Sequence, residues 1–336
     1  MEYSLQELSE ENAAVWESFN NRSPEGTFFH SLKWKSVLED ALNLDLKYWI
    51  LYKGREAVGI LPSKTRRLPF LKGLDPIPYS ECNSILLDTD FNPHDLNAIL
   101  SLFAQKYRYL FLNVNEASLV DHIGYDHYPA DDTGNMILNL RQRPPDSIWE
   151  SFPAKKGQRK FIRRFDEKSF TIREICREEA IQQFYRYYVE NLTRMQGDIL
   201  PLSFFQRLLE TFSPADMRIT SLAKGDLYAG GLLTFLHPAG RTAYFQYLSL
   251  NRNLPGTFHP TYPLFWEGLV WAWNNGYDTI FLGRQKLDPT NTRFRIKADF
   301  GADHVPIYSR VVLLSKMAAL PYRMKNALAG GDGIPV

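Results

Sequence analysis

Cysteine, net charge and long apolar runs are scarce in this sequence. Among 336 residues only Cys82 and Cys176 are cysteines, and they show no pairing or metal-ligand spacing, which predicts a reducing compartment. The 39 basic and 38 acidic residues leave a net charge of +1, so no global field attracts nucleic acid or membrane. No apolar run approaches the roughly 20 residues that span a bilayer.

The first residues, MEYSLQELSEENAAVW, are acidic and lack the apolar segment of a secretory signal. We therefore expect a cytoplasmic protein. Hydrophobic residues make up 44% of the chain and aromatic residues 14%, which excludes a disordered chain. The length predicts about two domains, each with its own core.

Two segments of the chain share one pattern. KYWILYKGREAVGILP and RITSLAKGDLYAGGLLT each contain an apolar strand, a Lys-Gly turn and a second strand, with the turns at Gly54 and Gly225, an offset of 225 − 54 = 171. The helix and strand that follow each hairpin reach Phe111 and Phe281, an offset of 281 − 111 = 170. Lys-Gly turns are common because glycine readily adopts positive φ. Two matches at nearly the same sequence separation nevertheless predict a duplicated module. The alternative is a chance similarity between two ordinary successions of helix and strand.

We place a first domain at 1–145, a second at 146–330 and a loose tail at 331–336. A double proline, which cannot continue a strand, precedes the second domain. A basic linking helix is predicted at 154–166, where Lys155, Arg159 and Arg163 follow i, i+4 spacing on one face. This cationic face is a candidate contact for RNA phosphates or a lipid diphosphate, and a solvated helix face is the alternative.

The segment after residue 260 is the most informative. A helix in YPLFWEGLVWAWNNG is followed by a buried strand at Thr279 to Leu282, which delivers Arg284 at its end, and Lys297 follows in FRIKADFGA. HPTYPLFWEGL, NNGYDTIFLGR and FRIKADFGA occur in an order that resembles the C-terminal half of the FemAB-like transferases. The resemblance covers most of the chain and is specific from about Lys155 onward.

This resemblance implies an α/β (α+β) fold of tandem GNAT-like acyltransferase domains, each a mixed, largely antiparallel sheet flanked by helices. It implies an N-acyltransferase that moves an aminoacyl or acyl group to a primary amine of a peptidoglycan or other cell-envelope precursor. The donor in the family is aminoacyl-tRNA. The acceptor would be a small-molecule or lipid-linked amine, with peripheral contact at the inner face of the membrane, and no cofactor is expected.

Two other functions stay open at this point. One is a coenzyme A-dependent GNAT N-acetyltransferase or acyltransferase, and the other is a non-catalytic module that binds cell-envelope polymers. The general acyltransferase fold binds the coenzyme A pyrophosphate with consecutive backbone amides. The corresponding loop here, NRNLPGTFHPT, has one glycine and two prolines without an amide proton, so acyl-CoA is disfavoured as donor.

Two residues at or beside this loop are further candidates. His259, within it, is a candidate acid or base, with a structural hydrogen bond as the alternative. Tyr247, in the preceding strand, is a candidate substrate contact.

Lys297 occupies the position of the lysine in the motif of the family, ahead of the aromatic-glycine pair at Phe300. The resemblance implies that its charge stabilises the oxyanion or the leaving group of an ester aminolysis; a solvated surface lysine is the alternative. Phe300 is a candidate substrate contact. Alternation in an extended segment predicts that Asp299 lies on the same side of the chain as Lys297.

Two arginines are candidates for positioning an anionic acceptor. Arg284, at the predicted strand end, has the planar fork that binds phosphate or carboxylate; an ion pair with Asp278 or Asp288 is the alternative. Arg194 resembles the arginine that precedes a glycine and a mobile loop in the family.

Trp34 and Tyr79 match aromatic positions in the first half of the family and are candidate substrate contacts, with a core position as the alternative for Trp34. His122 and His127 have no third ligand nearby, so no metal site is expected.

Overall fold

A computed structural model describes residues 2–68, 71–153, 157–175 and 178–316. The chain divides into two compact units, and the statements below concern their described residues. The first contains Met1–Glu39, Asn43–Gly134 and Pro306–Val336, and the second contains Asp40–Leu42 and Asn135–Val305. The boundary precedes the predicted one at 145/146, and the chain from Pro306 onward belongs to the first unit rather than the second. The predicted tail at 331–336 lies outside the described residues.

The strands range in length from two residues to 13. In chain order they are β1 (Tyr3–Glu7), β2 (Leu46–Lys53), β3 (Glu56–Leu68), β4 (Leu71–Asp75), β5 (Leu86–Leu87), β6 (Tyr109–Val114), β7 (His127–Asp131), β8 (Thr133–Asn139), β9 (Thr171–Glu174), β10 (Met217–Lys224), β11 (Leu227–His237), β12 (Thr242–Leu250), β13 (Thr279–Lys286), β14 (Asp303–Pro306) and β15 (Tyr308–Leu313).

Ten α-helices occur in the described residues. They are α1 (Ala13–Arg22), α2 (Leu32–Leu42), α3 (Leu96–Ala104), α4 (Ala117–Asp121), α5 (Pro145–Ser151), α6 (Gln158–Glu167), α7 (Glu178–Met195), α8 (Leu202–Thr211), α9 (Thr261–Asn274) and α10 (Thr292–Asp299). Ser31 caps α2 by accepting a hydrogen bond from the Trp34 amide at 3.2 Å. Helix α8 begins at Leu202, directly after Pro201. No helix in the described ranges is both long and apolar enough to span a bilayer.

Each unit contains one sheet, and the two sheets have the same strand order. The first is β1-β2-β3-β4-β6-β15-β7, with β5 beside β3, and the second is β9-β10-β11-β12-β13-β8-β14. A parallel pair lies inside each sheet, β4 with β6 in the first and β12 with β13 in the second. The two hairpins therefore belong to separate, equivalent sheets, which confirms the predicted duplication.

The equivalence extends to details of the two hairpins. Gly54 (φ 64°) and Gly225 (φ 53°) both adopt the left-handed conformation that a tight turn requires. Four residues after each glycine, Val58 and Ala229 interrupt the ladder as the extra residues of a β-bulge. A bulge at the same distance from the same turn extends the match beyond the Lys-Gly dipeptide.

The chain passes from one sheet to the other twice. After β7 it enters the second sheet as β8, and after β14 it returns to the first sheet as β15. The two strands take the same place in each order, beside β13 and β6 respectively. This exchange of strands explains why the boundary between the two units differs from the predicted one at 145/146. A local sequence pattern predicts that a strand forms but not which sheet it joins.

Alternate residues of the second sheet face different helices. Leu232 and Leu236 of β11 belong to one hydrophobic cluster with α5, α6 and α9, whereas Phe235 contacts the ring of Phe212 after α8. On α9, Gly268 faces Phe245 so closely that an added Cβ would come within 2.8 Å of that ring. This close approach fixes α9, and with it the loop between β12 and α9, against the sheet.

The first sheet has its own core, and Cys82 is buried in that unit. Cys176 lies outside the described residues. The main cluster contains residues from β2, β3, α3, β6 and β15, among them Trp49, Leu61, Leu100, Phe103, Leu110 and Val312.

Candidate active site

The candidate site lies where two parallel strands of the second sheet separate. β12 and β13 pair over three positions, the last being Tyr244 with Phe281. Both strands continue further, β12 to Leu250 and β13 to Lys286. Because ligands of open α/β sheets bind at the carboxyl ends of parallel strands, the ends of β12 and β13 and the loops after them form the candidate site.

A β-bulge in β12 changes the direction of the side chains just beyond this separation. Leu233 pairs with Tyr247 and Thr234 with Phe245, so Gln246 is the extra residue. Without it, Tyr247 would lie on the same side as Phe245, which packs against α9. Instead the Tyr247 ring contacts aromatic rings of α7 and α8, with centroids 5.5 Å away at Phe205 and 5.9 Å at Tyr188, among others. The bulge thus orients the candidate residue Tyr247, which is half-buried.

An asparagine of α7 fixes the end of that helix to the end of β12. The Asn191 side chain donates to the Leu250 carbonyl and accepts from the Leu250 amide, both at 2.8 Å. Asn191 is buried, so this pair of hydrogen bonds is shielded from water and well defined. Arg194 lies three residues later and therefore on the same side of α7, where its side chain is exposed beside the loop that begins at Asn251.

Three arginines from three elements converge at this place; we call Arg194, Arg252 and Arg293 the arginine cluster. Burial, and then the charges of Arg194 and Arg293, lower the pKa of the Arg252 guanidinium. Arg293 on α10 contacts Met195, the neighbour of Arg194, with Nη2 2.6 Å from Sδ. All three influences lower the pKa of Arg252, so the neighbouring charges that act on this guanidinium are positive. Arg194 was a candidate from the sequence, but Arg252 and Arg293 were not, because the three arginines are far apart along the chain.

Lys297 lies on α10, a helix where the sequence predicted an extended segment. The Asn291 side chain caps this helix by accepting from the Arg293 amide at 2.9 Å. Residues four apart share a helix face, so half-buried Lys297 lies on the same side of α10 as Arg293. Residues two apart do not share a face, and the predicted placement of Asp299 beside Lys297 is wrong. The Asp299 carboxylate instead accepts from the Tyr262 hydroxyl at 2.8 Å.

His259 lies between rings and cations in the loop before α9. Its ring is 4.2 Å from that of Phe161 on α6, centroid to centroid. Burial, followed by the charges of Arg164 and Arg252, lowers the pKa of His259. The imidazole is therefore neutral at pH 7 and able to accept a proton.

The loop from Asn251 to Pro260 uses several of its amides within the protein. The Asn251 amide donates to Ala229 at 3.0 Å, that of Asn253 to the Asn251 side chain at 2.9 Å, and that of Phe258 to Pro255 at 2.8 Å. Pro255 and Pro260 have no amide proton. Among the remaining amides of this loop, Gly256 and Thr257 are the only two adjacent ones for which no such bond is found.

Arg284 lies within β13 rather than after it, since the strand continues to Lys286. Its side chain is half-buried, and Gly283 before it has a φ of 94°, which interrupts the regular alternation of the strand. One predicted alternative partner, Asp278, forms ion pairs with Arg141 and with Arg241, the latter at 3.0 Å. Arg284 thus extends from the part of β13 that no longer pairs with β12.

The basic helix α6 holds most of its predicted cations against the protein. The guanidinium groups of Arg159 and Arg163 lie 5.4 and 5.5 Å from the ring centroid of Trp149, and Arg159 also donates to the Trp149 carbonyl at 2.8 Å. These contacts support packing as one role of both arginines. Arg164 donates to the Thr257 carbonyl at 2.8 Å and so reaches the loop before α9. Lys155 lies outside the described residues.

Three aromatic candidates lie in different surroundings. Phe300 is 1% exposed and stacks on Tyr262 in the core of the second unit, and Trp34 is 0% exposed in the first, where its Nε1 donates to Ser80 at 2.7 Å. Both side chains are enclosed, so the structure places them in the cores and not at a substrate surface. Tyr79 is 39% exposed and has a left-handed backbone with φ 56°, and its predicted role stays a prediction.

No cluster of three or more His, Cys, Asp or Glu side chains able to hold a metal occurs among the described residues. His122, considered above with His127, contacts His94 instead, with ring centroids 4.4 Å apart.

The fold is that of tandem GNAT-type proteins, as the sequence resemblance predicted. No family model and no curated protein sequence matches the chain, so the likeness rests on structure. The chain is similar to FemX, with a TM-score of 0.70 and 12% identity over 95% of this chain and 99% of that one.

Two further solved structures support the same fold. A tandem GNAT protein from the clavulanic acid biosynthesis pathway has a TM-score of 0.56 at 11% identity, covering 92% of this chain and 98% of that one. The C-terminal domain of a putative lysylphosphatidylglycerol synthetase from Agrobacterium fabrum has a TM-score of 0.56 at 12% identity, covering 96% and 99%.

Proposed function

We propose that this protein is an acyltransferase that moves an aminoacyl or acyl group to a primary amine of a cell-envelope precursor. The observation that carries the proposal is the arginine cluster with Lys297 beside the diverging ends of β12 and β13. Four cations in one place suit a substrate with several negative charges. The fold shared with FemX and with a tandem GNAT protein supports acyl transfer as the reaction class.

The proposed reaction is the aminolysis of an ester. The amine nitrogen attacks the ester carbonyl carbon, a C–N bond forms, and the carbonyl π electrons move to oxygen. The tetrahedral intermediate collapses, the C–O bond breaks, and the ester oxygen leaves with a proton. Lys297 would stabilise the negative charge on the oxyanion or on the departing oxygen, because a cation held in a partly buried site interacts more strongly than one in water.

The remaining residues have separate proposed roles. The arginine cluster and Arg284 would hold the anionic group of a substrate and so orient the amine. His259, neutral at pH 7, would accept the proton that the attacking amine loses. Tyr247 would contact the substrate next to the bulge in β12.

Aminoacyl-tRNA is the proposed donor, and the loop before α9 supports this choice. Half of its positions from Asn251 to Pro260 are prolines or donate their amides within the protein, so it provides little of the backbone cradle on which a coenzyme A pyrophosphate depends. We expect weak or absent coenzyme A binding in a calorimetric titration. A micromolar dissociation constant would favour a coenzyme A-dependent acyltransferase instead.

The test is a matrix of donors and amine acceptors. Aminoacyl-tRNA carrying a labelled amino acid and acetyl-CoA would each be incubated with nucleotide-linked and lipid-linked peptide precursors, and the new amide would be detected by mass spectrometry. We expect an amide only from the aminoacyl ester, its loss in Lys297→Met, and its retention in Lys224→Met, an exposed lysine at the β10–β11 turn. Binding of a precursor without an amide product from any donor would favour the non-catalytic binding module.

A further inference from the structure

Helix α10, which carries Lys297, has no fully buried residue. It is eight residues long, and two of them, Phe294 and Ile296, pack partly buried against the hydrophobic cluster of the second unit. An isolated helix of this length is unstable in water, because too few hydrogen bonds offset the cost of its first turn. The position of Lys297 therefore depends on the contacts that hold α10 against other elements.

Tyr262, in the first turn of α9, makes one of these contacts. Its hydroxyl donates to the Asp299 carboxylate, the last residue of α10, at 2.8 Å. Tyr262 is 6% exposed and Asp299 is half-buried, so water competes little for this bond. Burial, and then the hydrogen bond with Asp299, raise the pKa of Tyr262, and the hydroxyl therefore keeps the proton that it donates. Hydrogen bonds to a carboxylate are stronger than those between neutral groups.

Tyr262 also contacts the loop that carries His259. The Tyr262 amide donates to the His259 carbonyl at 3.2 Å, and its ring centroid lies 5.1 Å from that of Phe161, the ring that contacts the His259 imidazole. On its other side the Tyr262 ring stacks on Phe300, directly after α10, with centroids 5.8 Å apart. One side chain thus connects α9, the loop before it and the end of α10.

We propose that Tyr262 is a positioning residue: through Asp299, its hydroxyl holds α10, and with it Lys297, in a fixed position relative to His259. The inference rests on the function proposed above and adds to it two residues that do not touch the reacting atoms. Asp299 lies two positions after Lys297 and six after Arg293. Loss of the hydrogen bond should therefore displace Lys297 more than it displaces the arginine cluster.

The experiment removes the hydrogen bond from either side. Tyr262→Phe keeps the ring and deletes the hydroxyl, and Asp299→Ala deletes the carboxylate. With the substrate pair found above, each should lower kcat by about tenfold, since a displacement of about 1 Å can cost on the order of a hundredfold. The double variant should lose no more than either single one, because the two groups act through one bond. Asp299→Asn, which keeps an acceptor oxygen, should retain more turnover than Asp299→Ala.

A binding measurement separates positioning from a general loss of the site. Calorimetry with inorganic diphosphate should give nearly the wild-type affinity for Tyr262→Phe, so that kcat falls while anion binding stays. The matched control is Tyr3→Phe, which removes a tyrosine–aspartate hydrogen bond in the first unit, between Tyr3 and Asp95. This control should leave both turnover and diphosphate binding unchanged.

Hydrogen exchange tests the position of α10 without any substrate. The amides of residues 292–299 should exchange about tenfold faster in Tyr262→Phe than in the wild type, and at the wild-type rate in Tyr3→Phe. Full turnover in Lys297→Met would contradict the proposed function, and the exchange rates would still show whether Tyr262 holds α10. If Lys297→Met loses turnover, then full turnover in Tyr262→Phe, unchanged exchange in α10, or an equal loss of turnover in Tyr3→Phe would each overturn the positioning role.

Discussion

The two units have the same sheet order but differ where their inner parallel strands end. In the first unit, Asn113 of β6 corresponds by the offset of 170 to Gly283 of β13 in the second. Asn113 is buried, donates to Asn83 and accepts from Ser309, both at 2.6 Å. The Ile85 amide also donates to the Asn113 carbonyl at 3.0 Å. A segment of the first unit thus packs on its own strand end, and its polar groups bind one another.

In the second unit the corresponding strand end is surrounded by cations from other elements. The chain continues from Gly283 into Arg284, and the arginine cluster lies at the end of neighbouring β12. Two sheets with the same strand order can therefore have different surroundings at the end of the inner strand. In the first unit the loop after the inner strand packs on the sheet and forms a core, whereas in the second unit charged side chains collect, and there we propose a site for an anionic ligand.

Substitution of Lys297 is the strongest test of this asymmetry. If the second unit carries the reaction, Lys297→Met should lower turnover by about a hundredfold or more, on the order of a lost oxyanion donor, with folding and acceptor binding nearly unchanged. The matched control is His122→Met, since His122 ends α4, which follows β6 as α10 follows β13. Steady-state kinetics on the substrate pair found above would measure both. Full turnover in Lys297→Met would remove this residue from the mechanism.

We also expect the folding stability of the second unit to fall at acid pH because of one residue, His237. His237, at the end of β11, corresponds by the offset of 171 to Arg66 of β3. Burial lowers the pKa of His237 from 6.5 to about 4, and its buried Nε2 has no hydrogen-bond partner among the described residues. The folded state therefore resists protonation of this group. Its contribution to stability is fully present above about pH 6.5 and is lost as the pH falls toward 4.

The expected loss is roughly 2–3 kcal/mol. Urea unfolding at pH 7 and near pH 4.5 should show it for the wild type, and His237→Gln should show a smaller difference. An equal pH dependence in both proteins would mean that His237 does not carry this effect.

Neutralising the arginine cluster should affect ligand binding but not stability. Arg252→Gln and Arg293→Gln should each weaken the binding of inorganic diphosphate by about tenfold, the scale of one hydrogen bond to a charged group. The melting temperature should not fall, because each variant relieves repulsion around Arg252. Calorimetry with Arg173→Gln as control would check this, and unchanged affinity in both variants would contradict an anion site here.

The smallest effect compares the two hairpin turns directly. Gly54→Ala and Gly225→Ala place a side chain at φ 64° and 53°, which costs about 1 kcal/mol at each position. We expect similar losses in urea unfolding. A large loss at one turn and none at the other would show that the two hairpins are not energetically equivalent.

Parts of this structure were predictable because their causes are local. The Lys-Gly turns, the cap at Ser31 and the extent of α7 follow from glycine conformation, side-chain capping and apolar periodicity. Other predictions failed because the sequence signal was ambiguous at short range. The sequence does not predict α10 as a helix because FRIKAD shows no clear helical period. In addition, the residue that caps this helix, Asn291, lies in a run of polar residues that resembles an ordinary loop.

Local patterns in the sequence were enough to predict the duplicated hairpins. The tandem acyltransferase-like fold and the candidate role of Lys297 came instead from the resemblance of ordered motifs to a known family. Two features became evident only in the tertiary structure: β8 and β15 exchange sheets, and Arg252 and Arg293 lie near Arg194. The tertiary structure also decided that Trp34 and Phe300 lie in cores. The physical reason is that charge and burial act through space, so residues far apart in sequence become neighbours only when strands pair and helices pack.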